Sequence, residues 1–150
     1  MNIRTDHVTV IVARRAGEGF ELLQLRRQPN DYLGGTWQTV RGISQHGETS
    51  VQTALRELSE ETGLTPTEFF SLGIIESFYI AAADTLFHSP AFLAMVPADA
   101  DVKMDNEHDA FRWVAQADAP TRFMWSSEQP LFHAIDQILS DRPAKAQLKL

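Results

Sequence analysis

The order of apolar runs along the chain predicts an α/β sandwich built on a mixed sheet, and three observations predict it. A β-branched run near the N-terminus, a capped amphipathic segment in the middle, and two apolar, aromatic-rich runs beyond it have strand, helix and hairpin periodicity in turn. With 150 residues, of which 43% are hydrophobic and 22% charged, the chain can bury one core, so a single domain over residues 1–150 is expected.

His7 to Ala13, His-Val-Thr-Val-Ile-Val-Ala, reads as a buried strand, with Gly17-Glu18-Gly19 as its turn and Phe20 to Leu25 as the returning strand that ends in Arg26 and Arg27. Gln28 to Thr36, with one Pro and two Gly, reads as a loop. From Thr49 to Thr62 the apolar groups of Val51, Leu55, Leu58 and Thr62 recur at helical spacing. Thr49 and Gln52 fit a capping box, Gly63 suits the left-handed position past a helix end, and Pro66 blocks continuation. Leu72 to Ala82 and Leu86 to Val96 form an antiparallel pair about Ala83-Asp84, and Phe111 to Val114 is a further short strand. Ser126 to Leu139 places Leu131, Ile135, Ile138 and Leu139 on one helix face, and Arg142 to Leu150 is expected to fray.

Composition removes several functions. With no cysteine, disulfide frameworks, zinc ribbons, thiolate nucleophiles and dithiol redox chemistry drop out. A net charge of −7 argues against a nucleic-acid polymer as partner, because nonspecific binding to polyphosphate needs clustered cations. The N-terminus carries an early acid and only a short apolar run, so no cleaved signal peptide is expected, and no apolar stretch reaches membrane-spanning length. A cytoplasmic location and no membrane partner follow as default expectations. The charge is uneven: residues 1–41 hold six Arg against four acids, whereas residues 42–64 hold one Arg against four Glu.

On the central helix Glu57, Glu60 and Glu61 stand at i, i+3 and i+4, so their carboxylates are expected to converge on one face beside the Leu55/Leu58 stripe. A solvated acidic face would look the same. The wider pattern separates the two readings: Gly42, five residues, Glu48, seven residues, then Arg56-Glu57-Leu58-Ser59-Glu60-Glu61-Thr62-Gly63-Leu64. It resembles the signature of the Nudix hydrolases, G-x5-E-x7-R-E-U-x-E-E-x-G-U with U aliphatic, at every constrained position. At ordinary residue frequencies such a match arises by chance on the order of 10⁻⁸ per chain of this length.

The resemblance implies a Nudix-type α/β/α sandwich with a mixed sheet, the box at residues 42–64, and Mg²⁺-dependent hydrolysis of a nucleoside diphosphate linked to another group, with Mn²⁺ as the alternative ion. Hard divalent ions take oxygen ligands and keep several waters, so carboxylates on a rigid helix together with substrate phosphates form a suitable cage. Carried over by position, Glu57 and Glu61 are metal ligands and Glu60 is a ligand or its neighbour. Glu48 and Arg56 pair to brace the loop from Arg41 to Gly47 against the helix, and Gly42 and Gly63 are structural. The general base is a box glutamate, Glu57 or Glu60, or an acid of a later loop. The later candidate is Glu107, also a prospective ligand, since Glu107-His108 followed by an aromatic-x-Trp strand recurs in Nudix subfamilies. His108 itself reads as structural or solvent-facing.

Cations for the phosphates are sought in the first third of the chain, where Arg26, Arg27 and Arg41 are the candidates. Strand alternation lets only one of Arg26 and Arg27 point at the site, and Arg26 is favoured. Trp37 reads as wall packing rather than a base platform. The segments Trp37 to Gly42, Gly47-Glu48-Thr49 and Trp125 to Gln129 look most like the dihydroneopterin triphosphate pyrophosphatases, which implies a nucleoside or dihydroneopterin triphosphate giving monophosphate and pyrophosphate. Alternatives are a dinucleoside polyphosphate hydrolase, for which Tyr79 stands at a suitable distance, a nucleotide sensor without turnover, and an interaction module with a dimer face of Phe69-Phe70 and Phe87 to Phe92. The partner is a small nucleotide-like molecule, and a homodimer is left open.

Overall fold

The computed structural model describes residues 1–150, with the side chain of every residue except Ala144. Strands β1 (Asn2–Arg4), β2 (His7–Ala16), β3 (Gly19–Arg27), β4 (Trp37–Gln38), β5 (Val40–Ile43), β6 (Glu68–Ile80), β7 (Thr85–Val96) and β8 (His108–Ala115) form one mixed sheet. β2 and β3 make the hairpin that the Gly17-Glu18-Gly19 turn predicts. β7 runs parallel to β2 and to the short β1, which pair with its second and first halves, and forms on its other edge, with β6, the long antiparallel pair read from the two apolar runs.

The sheet splits where β2 leaves β3. Ala13 to Ala16 pair with β3, but the first half of β2 pairs with β5, so that Val8 lies opposite Gly42 and Thr9 opposite Arg41, while β4 pairs with the end of β3. Arg41 to Ile43 are therefore strand and not the loop expected from sequence. A glycine and an arginine carry little local strand preference, and the pairing with β2 supplies what propensity lacks. β8 adds to the free edge of β3 in antiparallel register, Arg27 opposite His108 and Gln24 opposite Arg112.

Alternation along the strands sends side chains to two cores. Val8, Val10, Val12, Leu23, Leu25 and Val40 face helix α1 (Ser50–Thr62), which buries Ala54 and Leu58 against them. Ile11, Ala13, Leu22, Phe70 and Leu72 face the other way, under α2 (Ala119–Arg122) and under Leu131, Ile135 and Ile138 of α3 (Gln129–Leu139). The expected α/β/α sandwich results.

Three expectations need correction. Leu55 is 38% exposed, because the buried face of α1 runs through Ala54, Leu58, Glu61 and Thr62 and so lies to one side of the stripe read from sequence. The C-terminal segment forms a short helix α4 (Ala144–Leu148), and the N–H of Leu150 donates to the Phe69 carbonyl at 2.9 Å, so residues 142–150 are tied to β6. Phe69, Phe70, Phe87 and Phe92 are buried, which removes them as an exposed dimer face. Among the described residues no helix is long and apolar enough to cross a membrane.

Candidate active site

The ends of α1 are built as its sequence predicts. The Thr49 hydroxyl accepts from the N–H of Gln52, the Gln52 side chain accepts from the N–H of Thr49, and Gly63 closes the helix at φ +69° with its N–H on the Ser59 carbonyl. Arg56, on the second turn, reaches back to the loop before the helix. Its Nε and Nη2 donate to the two oxygens of Glu48 at 2.7 and 3.0 Å, and Nη2 also meets the Ile43 carbonyl at 2.9 Å. Glu48 in turn accepts from the N–H of Gln45 and the Thr53 hydroxyl, and the Arg56 pairing draws its pKa down from 4.5 to about 2. The loop and helix are thus clamped through one bidentate ion pair.

Of the three helix glutamates, Glu57 and Glu60 share Nη1 of Arg56, at 2.9 and 3.1 Å, while Glu61 turns inward. Glu60 is 54% exposed on its side chain and pairs with Arg56 at 3.1 Å, on the outer flank. Glu57 lies against β5 so closely that a methyl group at Gly42 would overlap its Cγ, Cδ and Oε1. Glu61, only 6% exposed, points between β5 and β8, where its Oε2 accepts from the N–H of Arg41 at 3.3 Å. Burial raises the pKa of Glu57, partly offset by the Arg56 hydrogen bond. Burial raises that of Glu61 well above 4.5, helped by the charges of Glu57, Asp105 and Glu107.

A residue pair that sequence reasoning missed completes the pocket. His108 is buried rather than solvent-facing: its Nδ1 is 2.8 Å from Asp105 and its Nε2 is 3.8 Å from Glu61. Ligand atoms of Glu61, Asp105 and His108 lie within 4.8 Å of one another. Glu107 precedes His108 with an exposed side chain, and its carbonyl accepts from the N–H of Gln28. No local spacing announces Asp105, because it sits in an irregular segment whose path is set by the Lys103 N–H bonding to the Thr62 carbonyl.

The arginines divide by sheet face. Arg41 does not meet the pocket: its guanidinium donates to both oxygens of Glu76 at 2.6 and 2.8 Å and to Glu128 at 3.1 Å. Both acids are fully buried and compete successfully for the cation, which corrects its expected place on the phosphates. Burial pushes the Glu76 carboxyl up, but the hydrogen bonds and charge of Arg41, with the Thr9 and Ser127 hydroxyls, together outweigh it and leave the pKa lowered. Glu128 shares the same arginine, yet burial keeps its pKa raised. Arg27 pairs with Asp31 at 2.7 Å and lies opposite His108. Arg26 pairs with Asp109 at 2.7 Å beside Trp37, on the opposite face.

Comparisons with known proteins bear on the family and the fold. An octanoyltransferase of Myxococcus xanthus is 39% identical over 116 residues, covering 76% of this chain and 31% of that protein. A mutator protein, MutT4, of Mycobacterium tuberculosis is 29% identical over 117 residues, covering 72% of this chain and 46% of that protein. The asymmetrical bis(5'-nucleosyl)-tetraphosphatase of Sus scrofa is 34% identical over 88 residues, 55% of this chain and 58% of that protein. The chain thus spans between about a third and three fifths of the length of these three curated relatives. Among solved structures, a C. elegans Ap4A hydrolase complex superposes with a TM-score of 0.75 at 20% identity, covering 93% of this chain and 98% of that one. The E. coli dihydroneopterin triphosphate pyrophosphohydrolase gives 0.66 at 24%, covering 89% and 95%. These likenesses show the fold. The family model for the NUDIX domain matches residues 4–135, from the first strand into the last long helix, and the chain belongs to that family.

Proposed function

We propose that the chain hydrolyses the pyrophosphate bridge of a nucleoside diphosphate linked to a further group, with a divalent metal ion, Mg²⁺ or in its place Mn²⁺, held at Glu57 and Glu61. One observation carries the reading: two carboxylates of a capped helix lie against β5 and the start of β8, where burial disfavours the charge of both, the charges of Glu57, Asp105 and Glu107 add to that on Glu61, and the one basic side chain within 4.0 Å of Glu61 among the described residues is the His108 imidazole at 3.8 Å. Such a pair fits a cation. The donors are hard oxygens with one imidazole, as Mg²⁺ and Mn²⁺ accept. Asp105 and His108 stand behind Glu61, within reach of the same ion or of the water around it.

When bound, the ion neutralises phosphate oxygens and lowers the pKa of the attacking water. The protein's own residues do the rest. The Glu48–Arg56 clamp keeps Gly42 and Glu57 in register, and the Arg41 N–H orients Glu61. Glu107, exposed and close enough to raise the Glu61 pKa, is the general base that takes the proton from water on the open side. Glu60 is the weaker candidate for ligand or base, since its side chain is 54% exposed on the outer flank while Glu57 is packed against β5. Arg27, opposite His108, is the arginine nearest the carboxylates in register.

The substrate reading we favour is a nucleoside or dihydroneopterin triphosphate, cleaved to monophosphate and pyrophosphate in the cytoplasm. A dinucleoside polyphosphate is the second reading, favoured by the likeness to the Sus scrofa tetraphosphatase. Product analysis on a panel of dihydroneopterin triphosphate, deoxynucleoside triphosphates, diadenosine tetraphosphate and ADP-ribose, with Mg²⁺ or Mn²⁺, tests both. Pyrophosphate from a triphosphate supports the first, and preferential cleavage of the tetraphosphate supports the second. Glu57→Gln and Glu61→Gln should each lose about 10³-fold or more in turnover. Full turnover in both variants would overturn the assignment, and wild-type binding without turnover would favour a sensor.

A further inference from the structure

Arg112 on β8 is a cation that the site described above does not use. Its Nε donates to Oε1 of Gln24 at 2.7 Å, and its guanidinium lies 4.1 Å from the centroid of the Trp37 ring. Gln24 is fully buried, and its amide nitrogen donates to the Arg122 carbonyl at 3.1 Å, which determines that its oxygen faces Arg112. The guanidinium is therefore held by a buried amide and an indole. Among the described residues no carboxylate lies within 4.0 Å of it, and its Nη1 and Nη2 donate to no protein group. Burial and the nearby Arg122 charge both disfavour its cationic form, a penalty that a bound anion would relieve.

A second guanidinium shares the ring. Arg26 lies 5.6 Å from the Trp37 centroid, with Nε and Nη2 bound to Asp109 at 2.7 and 3.2 Å, which leaves Nη1 free. Two arginines thus present unsatisfied donors around one tryptophan, in a chain whose net charge is −7. Fixed planar forks of this kind match phosphate oxygens, and their stacking removes the entropy cost of ordering them.

Placement ties the group to the carboxylates. Asp109 directly follows His108, and Arg26 directly precedes Arg27, the register partner of His108. Stacking on Trp37, which is in register with Arg26, draws the Arg112 head back along β8 toward this strand end. Arg26 and Arg112 lie on the face of β3 and β8 that carries Gln24 and α2, so a phosphate chain extending from the carboxylates would reach them by passing around the strand ends at Arg27 and His108. We propose that Arg112, stacked on Trp37 and held by Gln24, binds together with Arg26 the phosphate-bearing arm of the substrate beyond the cleaved bridge. The inference rests on the pyrophosphohydrolase reading for the substrate, but the binding site itself does not need turnover.

The test is titration calorimetry with inorganic tripolyphosphate and Mg²⁺, run beside steady-state hydrolysis of a nucleoside triphosphate. Arg112→Gln should weaken tripolyphosphate about tenfold or more and raise KM by a similar factor with kcat kept, while Arg142→Gln, an exposed arginine beyond α3, should leave both unchanged. Equal affinity in Arg112→Gln and wild type, no binding by wild type, or an equal loss in Arg142→Gln would each overturn the proposal. Arg112→Lys covers the case in which the glutamine variant does not fold: it keeps the charge and loses the fork, so it should still lose at least threefold, and wild-type affinity there would refute the site. A wild type inert toward the nucleotide panel whose tripolyphosphate binding still depends on Arg112 would sink the hydrolase reading and leave this site standing.

Discussion

Substituting Gly42 by Ala separates function from folding more sharply than any other change in the site. Gly42 has no left-handed backbone, so alanine is tolerated by the chain itself, and the three nearest atoms that a methyl group would meet all belong to the Glu57 side chain. A methyl group there would sit closer than 3.0 Å to Cγ, Cδ and Oε1 of that side chain. Carbon atoms in contact rest about 3.5–4.0 Å apart, so from 2.1 Å the Cγ and Cδ atoms have to retreat by about 1.4 Å or more. Because the displaced atoms are the end of a flexible side chain, the fold can absorb the move. Loss of the 2.9 Å Arg56–Glu57 contact and some strain should cost about 1–2 kcal/mol, partly offset by the about 0.4–1 kcal/mol gained from a stiffer unfolded chain. That corresponds to a Tm lower by no more than about 5 °C at this chain length. A catalytic group misplaced by 1 Å, in contrast, loses about 10²-fold in rate. Calorimetric unfolding and kcat measured on one preparation decide the matter. Turnover within threefold of wild type would refute the role given to Glu57, and a Tm collapse would refute the claim that the clash is absorbed by a side chain.

Four further outcomes are expected. Glu61 has its folded pKa raised well above 4.5, so without metal the folded state is penalised as pH rises past 4.5 and regains stability as pH falls; Glu61→Gln should therefore have a higher Tm than wild type at pH 8 in EDTA. Added Mg²⁺ at a hundred times its dissociation constant should raise the wild-type Tm by about 5–10 °C and leave Glu61→Gln nearly unmoved, as read by scanning fluorimetry. Arg41→Met strands Glu76 and Glu128 in the core and should cost about 3–5 kcal/mol in urea unfolding at pH 7. The Glu76 pKa is held below 4.5, so its contribution is present above that pH and lost as pH falls through the depressed value, and the gap between wild type and Arg41→Met should narrow in acid. Gly63→Ala forces a side chain into φ +69° with its Cβ 3.2 Å from that of Lys103, and should cost about 1–2 kcal/mol in the same assay with kcat retained.

What could be read from residue order was local in the chain. The Thr49–Gln52 cap, the Gly63 stop and the i, i+3, i+4 placement of the glutamates are helix properties spanning a turn or two, and each stands in the structure where the spacing put it. The Glu48–Arg56 pair, eight residues apart, was reached through the family signature. Even within the helix, rotation about its axis was misjudged: Glu61 is buried and Leu55 exposed, because packing against a sheet of unknown path decided which flank turned inward.

Residue order alone specified an α/β chain with a capped acidic helix in the Nudix pattern, since helix caps and hydrophobic periods are set by near neighbours. Only the tertiary structure decided which carboxylates share a pocket and which arginines are free. Arg41 meets Glu76 and Glu128 across separations of 35 and 87 residues, and Glu61 meets His108 and Asp105 from an irregular segment, so both depend on how strands pair. Strand partners are chosen by burial over the whole sheet, and no spacing in the chain records that choice.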